Sequence, residues 1–100
     1  MTTITFERSG GATGKDLHLD LDLNTLPEDD SQHLLKLIDE ADFFNIPEHP
    51  AEQFIADEFQ YTIGVNAGQS NHTVHVSDSS MPKSLLPLAK ELTMLKILQH

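Results

Sequence analysis

Three groups of residues in this chain have types and spacings that chemistry can use. Asp16, Asp20 and Asp22 fall at alternate positions of one short segment. On a strand they share a face, with alternate residues about 7 Å apart. Carboxylates so placed can hold a cation or divide acid and base roles. No histidine–glutamate pattern adjoins them, and the simpler expectation is a solvated strand face. His72 and His75 lie three apart. On a helix that spacing makes a metal pair, but on a strand it sends the two rings to opposite faces. Gly10-Gly11-Ala12-Thr13-Gly14-Lys15 carries the glycines and lysine of a phosphate loop. Asp16 stands where that motif needs serine or threonine, and no helical pattern follows, so a hairpin turn is expected. The serines sit in no nucleophile-elbow motif. These residues predict a protein that is not an enzyme, with no cofactor and no bound metal.

The elements that position these groups follow from apolar periodicity. Residues 3–8 alternate, with Ile4 and Phe6 on one face, and read as a half-buried strand. Ser9 to Gly14 reads as a turn, where glycine permits positive φ. Asp16 to Leu23 alternates with Leu17, Leu19, Leu21 and Leu23 on the core side. Thr25-Leu26-Pro27-Glu28 has the form of a helix start, with Thr25 as cap and Pro27 in the first helical position. Leu34, Leu35, Ile38 and Ala41 then repeat at helical spacing. Pro47 and Pro50 end that run, and 45–56 reads as irregular apart from a helical turn over 51–55. A third strand over 57–66 turns Phe59, Tyr61, Ile63 and Val65 inward. A fourth over 72–77 turns Val74 and Val76 inward. Leu85, Leu88, Ala89, Leu92 and Leu95 make the stripe of a last helix. Pro87 fits that helix only in its first turn, with a cap at Ser84 or an irregular turn from Pro82.

The order ββαββα predicts an α+β fold: a four-stranded antiparallel sheet with two helices packed on one face. The other face, with His18, Asp20, Asp22, Thr62 and His75, would be wet. One hundred residues are expected to form one domain spanning 1–100. Cysteine is absent, which removes disulfides and thiolate metal sites and fits a reducing compartment. The net charge of −10 repels nucleic acid and anionic membrane. No apolar run approaches the ~20 residues of a membrane span. The first residues lack a basic, then apolar, signal pattern, so no signal peptide is expected there. Function is then expected in the loops 9–14, 45–57 and 77–82, carried on a rigid sheet.

An ordered set of phrases narrows this further. Phe6-Glu7-Arg8-Ser9-Gly10-Gly11 is followed by Leu26-Pro27 and by Ala41-Asp42-Phe43-Phe44-Asn45-Ile46-Pro47. Ala56-Asp57-Glu58-Phe59-Gln60-Tyr61, His72-Thr73-Val74 and Pro82-Lys83-Ser84-Leu85-Leu86-Pro87-Leu88 complete it. In this order and spacing the chain resembles the emfourin family of small proteinaceous inhibitors of thermolysin-like metallopeptidases. Many relatives carry an aromatic where this chain has Ala12, and a glycine where it has Ile55.

The resemblance implies a bacterial, cytoplasmic protein whose partner is a thermolysin-like zinc protease of the protealysin group. It also implies inhibition by loop insertion, without chemistry performed by the inhibitor. Such proteases hold zinc with three protein ligands and leave a position open. A loop carboxylate, Asp57 or Asp78, is expected to approach that position. Leu26, Ile46, Phe54 or Ile55 would fill the apolar subsites. Ser9, Gly10, Gly11 and Ala12 of the hairpin complete the expected protease-binding set. The competing reading is a non-catalytic regulatory or adaptor module that binds through the wet sheet face around His18, Asp20 and His75. A monomer or a weak dimer is expected, because the edges of a small sheet can pair with another chain.

Overall fold

The computed structural model describes residues 2–10, 16–48 and 58–98. Period-two alternation produces four strands: β1 (Thr3–Gly10), β2 (Leu17–Asp22), β3 (Phe59–Asn66) and β4 (Asn71–Ser77). They form one sheet in the order β2-β1-β3-β4, with every neighbouring pair antiparallel. The register sets Phe6 between Leu19 and Ile63, and Ile63 beside Val74. Ile4 lies between Leu21 and Val65. One face is thereby apolar. On the other, His18, Glu7, Thr62 and His75 form a row across all four strands.

Two helices, α1 (Glu28–Glu40) and α2 (Leu86–Leu98), cover the apolar face. Leu34 and Ile38 of α1 and Leu88, Ala89 and Leu92 of α2 share one buried cluster with Ile4, Phe6, Leu19, Ile63, Val65, Val74 and Val76. Phe6 is completely buried at its centre. Burial of such a side chain contributes about 1.5–3 kcal/mol. The expected order ββαββα and the α+β architecture are what the chain adopts.

Several local expectations are corrected. Ser9 and Gly10 belong to β1 rather than to the turn, because Gly10 pairs with Phe59 of β3. Thr25 does not cap α1. A short 3-10 turn over Leu23–Thr25 intervenes, in which Asp22 accepts from the Asn24 N–H (3.0 Å) and the Thr25 hydroxyl donates back to the Asp22 carbonyl (2.8 Å). Pro27 itself occupies the cap position of α1, without a side-chain cap. Three acids, Glu28, Asp29 and Asp30, offset the positive helix end instead. Leu35 lies outside the buried stripe at 44% exposure, and Leu37 packs against the core in its place. Ser84 does not cap α2; its hydroxyl donates to the Ala41 carbonyl (3.1 Å) and ties the end of α1 to the approach to α2. The irregular turn from Pro82 is present, with the Leu85 N–H donating to the Pro82 carbonyl (3.0 Å). Pro87 then falls in the first turn of α2, as its missing N–H requires.

The outer edge of β4 is partly covered. The His75 N–H donates to the Glu48 carbonyl (2.7 Å), so the chain leaving Ile46 runs beside β4. Covering an edge in this way removes donors that would otherwise invite another strand.

Candidate functional site

Three connections leave the sheet at one end. β1 finishes at Gly10, which pairs with Phe59, the first residue of β3. Gln60, next along, pairs with Ser77, the last residue of β4. The chain after Gly10, the chain before Phe59 and the turn after Ser77 therefore start from adjacent points. Gly10 has φ +82°, and a Cβ there would lie 3.1 Å from the Glu58 carbonyl oxygen. Only glycine makes both the turn and the close approach without strain.

Asp78 ties this end together. Its N–H donates to the Phe59 carbonyl (3.2 Å), and its carboxylate accepts from the Phe59 N–H (3.1 Å) and the Tyr61 hydroxyl (2.9 Å). Glu58 accepts from the Ser79 N–H (2.9 Å), which holds its carboxyl below the usual range. Ser80 accepts from the Ser77 N–H (2.8 Å). Burial, and then the hydrogen bond to the Asp78 carboxylate, push the Tyr61 phenol up to about 12. The Arg8 guanidinium lies 4.1 Å from the centre of the Phe59 ring. Turn 77–80 is thus bound to the start of β3 by side chains, and the end of the sheet is a firm platform.

The residues expected to bind a protease divide into three groups. Ser9, Gly10 and Asp78 come together at this end, exposed. Leu26 and Ile46 do not join them. Leu26 follows the 3-10 turn beyond β2, at the other end of the sheet, where Asp22 pairs with Thr3; it packs against the core. Ile46 is buried, 7% exposed, and its carbonyl accepts from the His72 ring. Gly11, Ala12, Phe54, Ile55 and Asp57 lie outside the described residues, as does the helical turn expected over 51–55. Arg8, Glu58, Tyr61 and Ser79 also belong to the platform, although they are not in the expected protease-binding set. Period-two reading places a residue on a face, but only the β1–β3 register places Gly10 opposite Phe59.

The two histidines of the fourth strand point apart, as their spacing requires. His72 packs edge-on against Phe43, with ring centres 5.5 Å apart. His75 is on the wet face with the Thr62 hydroxyl at 3.1 Å. On the same face His18 lies between Asp20 (2.9 Å) and Glu7 (3.1 Å). The Asp20 carboxylate, with help from Glu7, raises its imidazole above the ordinary value. Among the described residues no three histidine or acidic side chains are grouped to hold a metal ion. No helix among them is long and apolar enough to cross a membrane.

The family model described as Emfourin matches this chain over residues 6–93. Comparison with curated proteins and comparison with solved structures each gave no match.

Proposed function

The chain belongs to the emfourin family, a membership that implies a metalloprotease inhibitor rather than an enzyme, and from it we propose a specific partner and mechanism. The partner is a thermolysin-like zinc protease of the protealysin group, in the cytoplasm of a bacterium. The inhibitor blocks its cleft with the loops gathered at one end of the sheet. The family match over residues 6–93 carries this reading. The convergence of three connections on a firm platform supports it, since insertion loops need a rigid base to bind without losing much conformational freedom.

A carboxylate completes the mechanism by taking the open position on the zinc. Asp57 and Asp78 are the two candidates. Asp78 accepts two hydrogen bonds that hold the turn, yet a carboxylate has about four lone-pair sites and retains capacity for a metal. Phe54 and Ile55, in the chain that leads into β3, fill the apolar substrate subsites. Electrostatics assists the encounter, because a body of charge −10 is steered toward a metal-centred positive potential.

Titration of the purified protein against a protealysin-type protease, with a peptide substrate, tests the reading. Stoichiometric loss of activity with zinc retained by the enzyme is the expected result. Full activity across several such enzymes would instead favour an adaptor that uses the wet face. Asp57→Ala and Asp78→Ala test the carboxylate separately; if both variants inhibit as well as wild type, no carboxylate of this pair meets the zinc.

A further inference from the structure

Beside the platform, on its helix side, a groove of about 330 Å³ opens between the ends of β1 and β3 and α2 from Leu86 to Met94. Met81, Leu86 and Met94 line it together with Arg8, Tyr61 and Lys90. Two features set it apart. The first is its charge. The protein has six lysines and arginines against sixteen acids, yet two of the six face this one depression. Arg8 Nε is buried and, among the described residues, donates to no hydrogen-bond acceptor. Asp78 lines the groove as well, but its carboxylate is already engaged by Phe59 and Tyr61. The second feature is apolar exposure. Leu86 and Met94 are 41% and 51% exposed, and Ile97 continues them along α2. With Lys90 they recur at steps of four, four and three, which is a single stripe on the solvent side of the helix. Apolar surface left open beside charge is a mark of an interaction site.

We propose that this groove is a second contact with the metalloprotease, and that it takes a protease segment outside the zinc cleft in which a bulky apolar side chain stands next to a carboxylate. The inference rests on the inhibitor reading. Its partner is chosen by continuity and by charge. Arg8 and Tyr61 lie two residues from the ends of their strands, and Met81 lies in the third connection. A body that covers the loops therefore also covers the mouth of the groove. Its basic and apolar walls complement an acidic, apolar segment, and an interface of standard size needs about 800 Å² from each partner, more than loop tips usually supply. A central apolar anchor beside a charge pair is also where binding energy tends to concentrate.

Lys90→Glu and Met94→Glu change exposed positions in the groove, and Leu35→Glu changes a comparably exposed leucine on α1. Each is compared with wild type on a protealysin-type protease that wild type inhibits. The groove variants are expected to raise the inhibition constant about tenfold or more, with thermal unfolding unchanged, while Leu35→Glu stays within about twofold. The Lys90→Glu loss, in which an attraction becomes a repulsion, should shrink more as salt is added than the Met94→Glu loss, whose apolar part salt does not relieve. Groove variants that inhibit within about twofold of wild type overturn the proposal and leave the inhibitor reading standing. Sedimentation that shows a wild-type dimer abolished by the same variants assigns the groove to a second copy and also overturns it. A wild type that inhibits no such protease removes the inhibitor reading first, before any variant is compared, and this proposal with it.

Discussion

At the scale of single residues, the pair Tyr61–Asp78 is the most testable contact. Tyr61 is the one tyrosine of the chain and there is no tryptophan, so phenolate absorbance reports this residue alone. Its phenol is pushed up to about 12, first by burial and then by the Asp78 carboxylate. An unperturbed tyrosine titrates near ~10. The folded state therefore favours the protonated phenol. The stability this contributes is fully present below the unfolded value and is lost as pH rises through the folded one. The expected outcome is a phenolate titration centred near 12 in native protein and near ~10 in urea. Asp78→Ala should move the native value downward without reaching the unfolded one, because burial remains. A native titration unchanged by Asp78→Ala would mean that the turn 77–80 is not held to β3 by this bond. His18 shows the same physics on the wet face, where Asp20 and Glu7 favour its charged form. That arrangement holds the His18 ring between two carboxylates on the strand face.

At the scale of elements, the strands were legible because alternation is a local property. Leu17, Leu19, Leu21 and Leu23 announce β2 without knowledge of its neighbours, and Leu85, Leu88, Ala89 and Leu92 announce the last helix stripe. Their ends were less legible. Thr25 matched a cap pattern, but a 3-10 turn had already engaged its hydroxyl. Leu35 matched the helix stripe, yet the buried arc centres on Leu34 and Ile38. The candidate site was legible as three loops and illegible as one surface, since pairing order is set by packing between distant segments. Leu26 and Ile46 were grouped with Asp78 on character alone, and the fold separates them. Two left-handed glycines among the described residues test what the platform needs. Gly10 and Gly68 both have φ +82°, but a Cβ at Gly10 meets the Glu58 carbonyl at 3.1 Å, whereas one at Gly68 meets nothing within 4 Å. Gly68→Ala should cost about 1–2 kcal/mol from the left-handed backbone alone. It lies in the β3–β4 turn, where Asn66 accepts from its N–H, far along the strands from Ser77. Gly10→Ala should cost more than that and should also weaken protease inhibition. Urea unfolding and inhibition assays on the two variants check both parts. Equal inhibition by both would separate the hairpin from the binding surface.

At the scale of the whole molecule, charge and shape work on different steps of binding. Sixteen acids against six bases give a field that acts at long range and is screened over about 8–10 Å at moderate salt. The groove and the loops act only on contact. Steering of this kind changes association rates by about 10- to 1,000-fold and dissociation little. Asp20 lies in the middle of β2, opposite Thr5, exposed and across the sheet from the Asp78 turn on β4. The variant Asp20→Asn removes one of the ten net negative charges and touches no loop-end contact. If the protein is an inhibitor that binds by its loop end, this variant should associate more slowly with the protease at low salt. It should dissociate at the wild-type rate, and the two association rates should converge as salt screens the steering of both. An adaptor that binds through the wet face would behave oppositely. There Asp20 and its partner His18 are in the contact itself, so the same variant would dissociate faster at every salt concentration. Measuring both rate constants at low and high salt therefore separates the two functions, because long-range charge acts on arrival and a lost contact acts on departure.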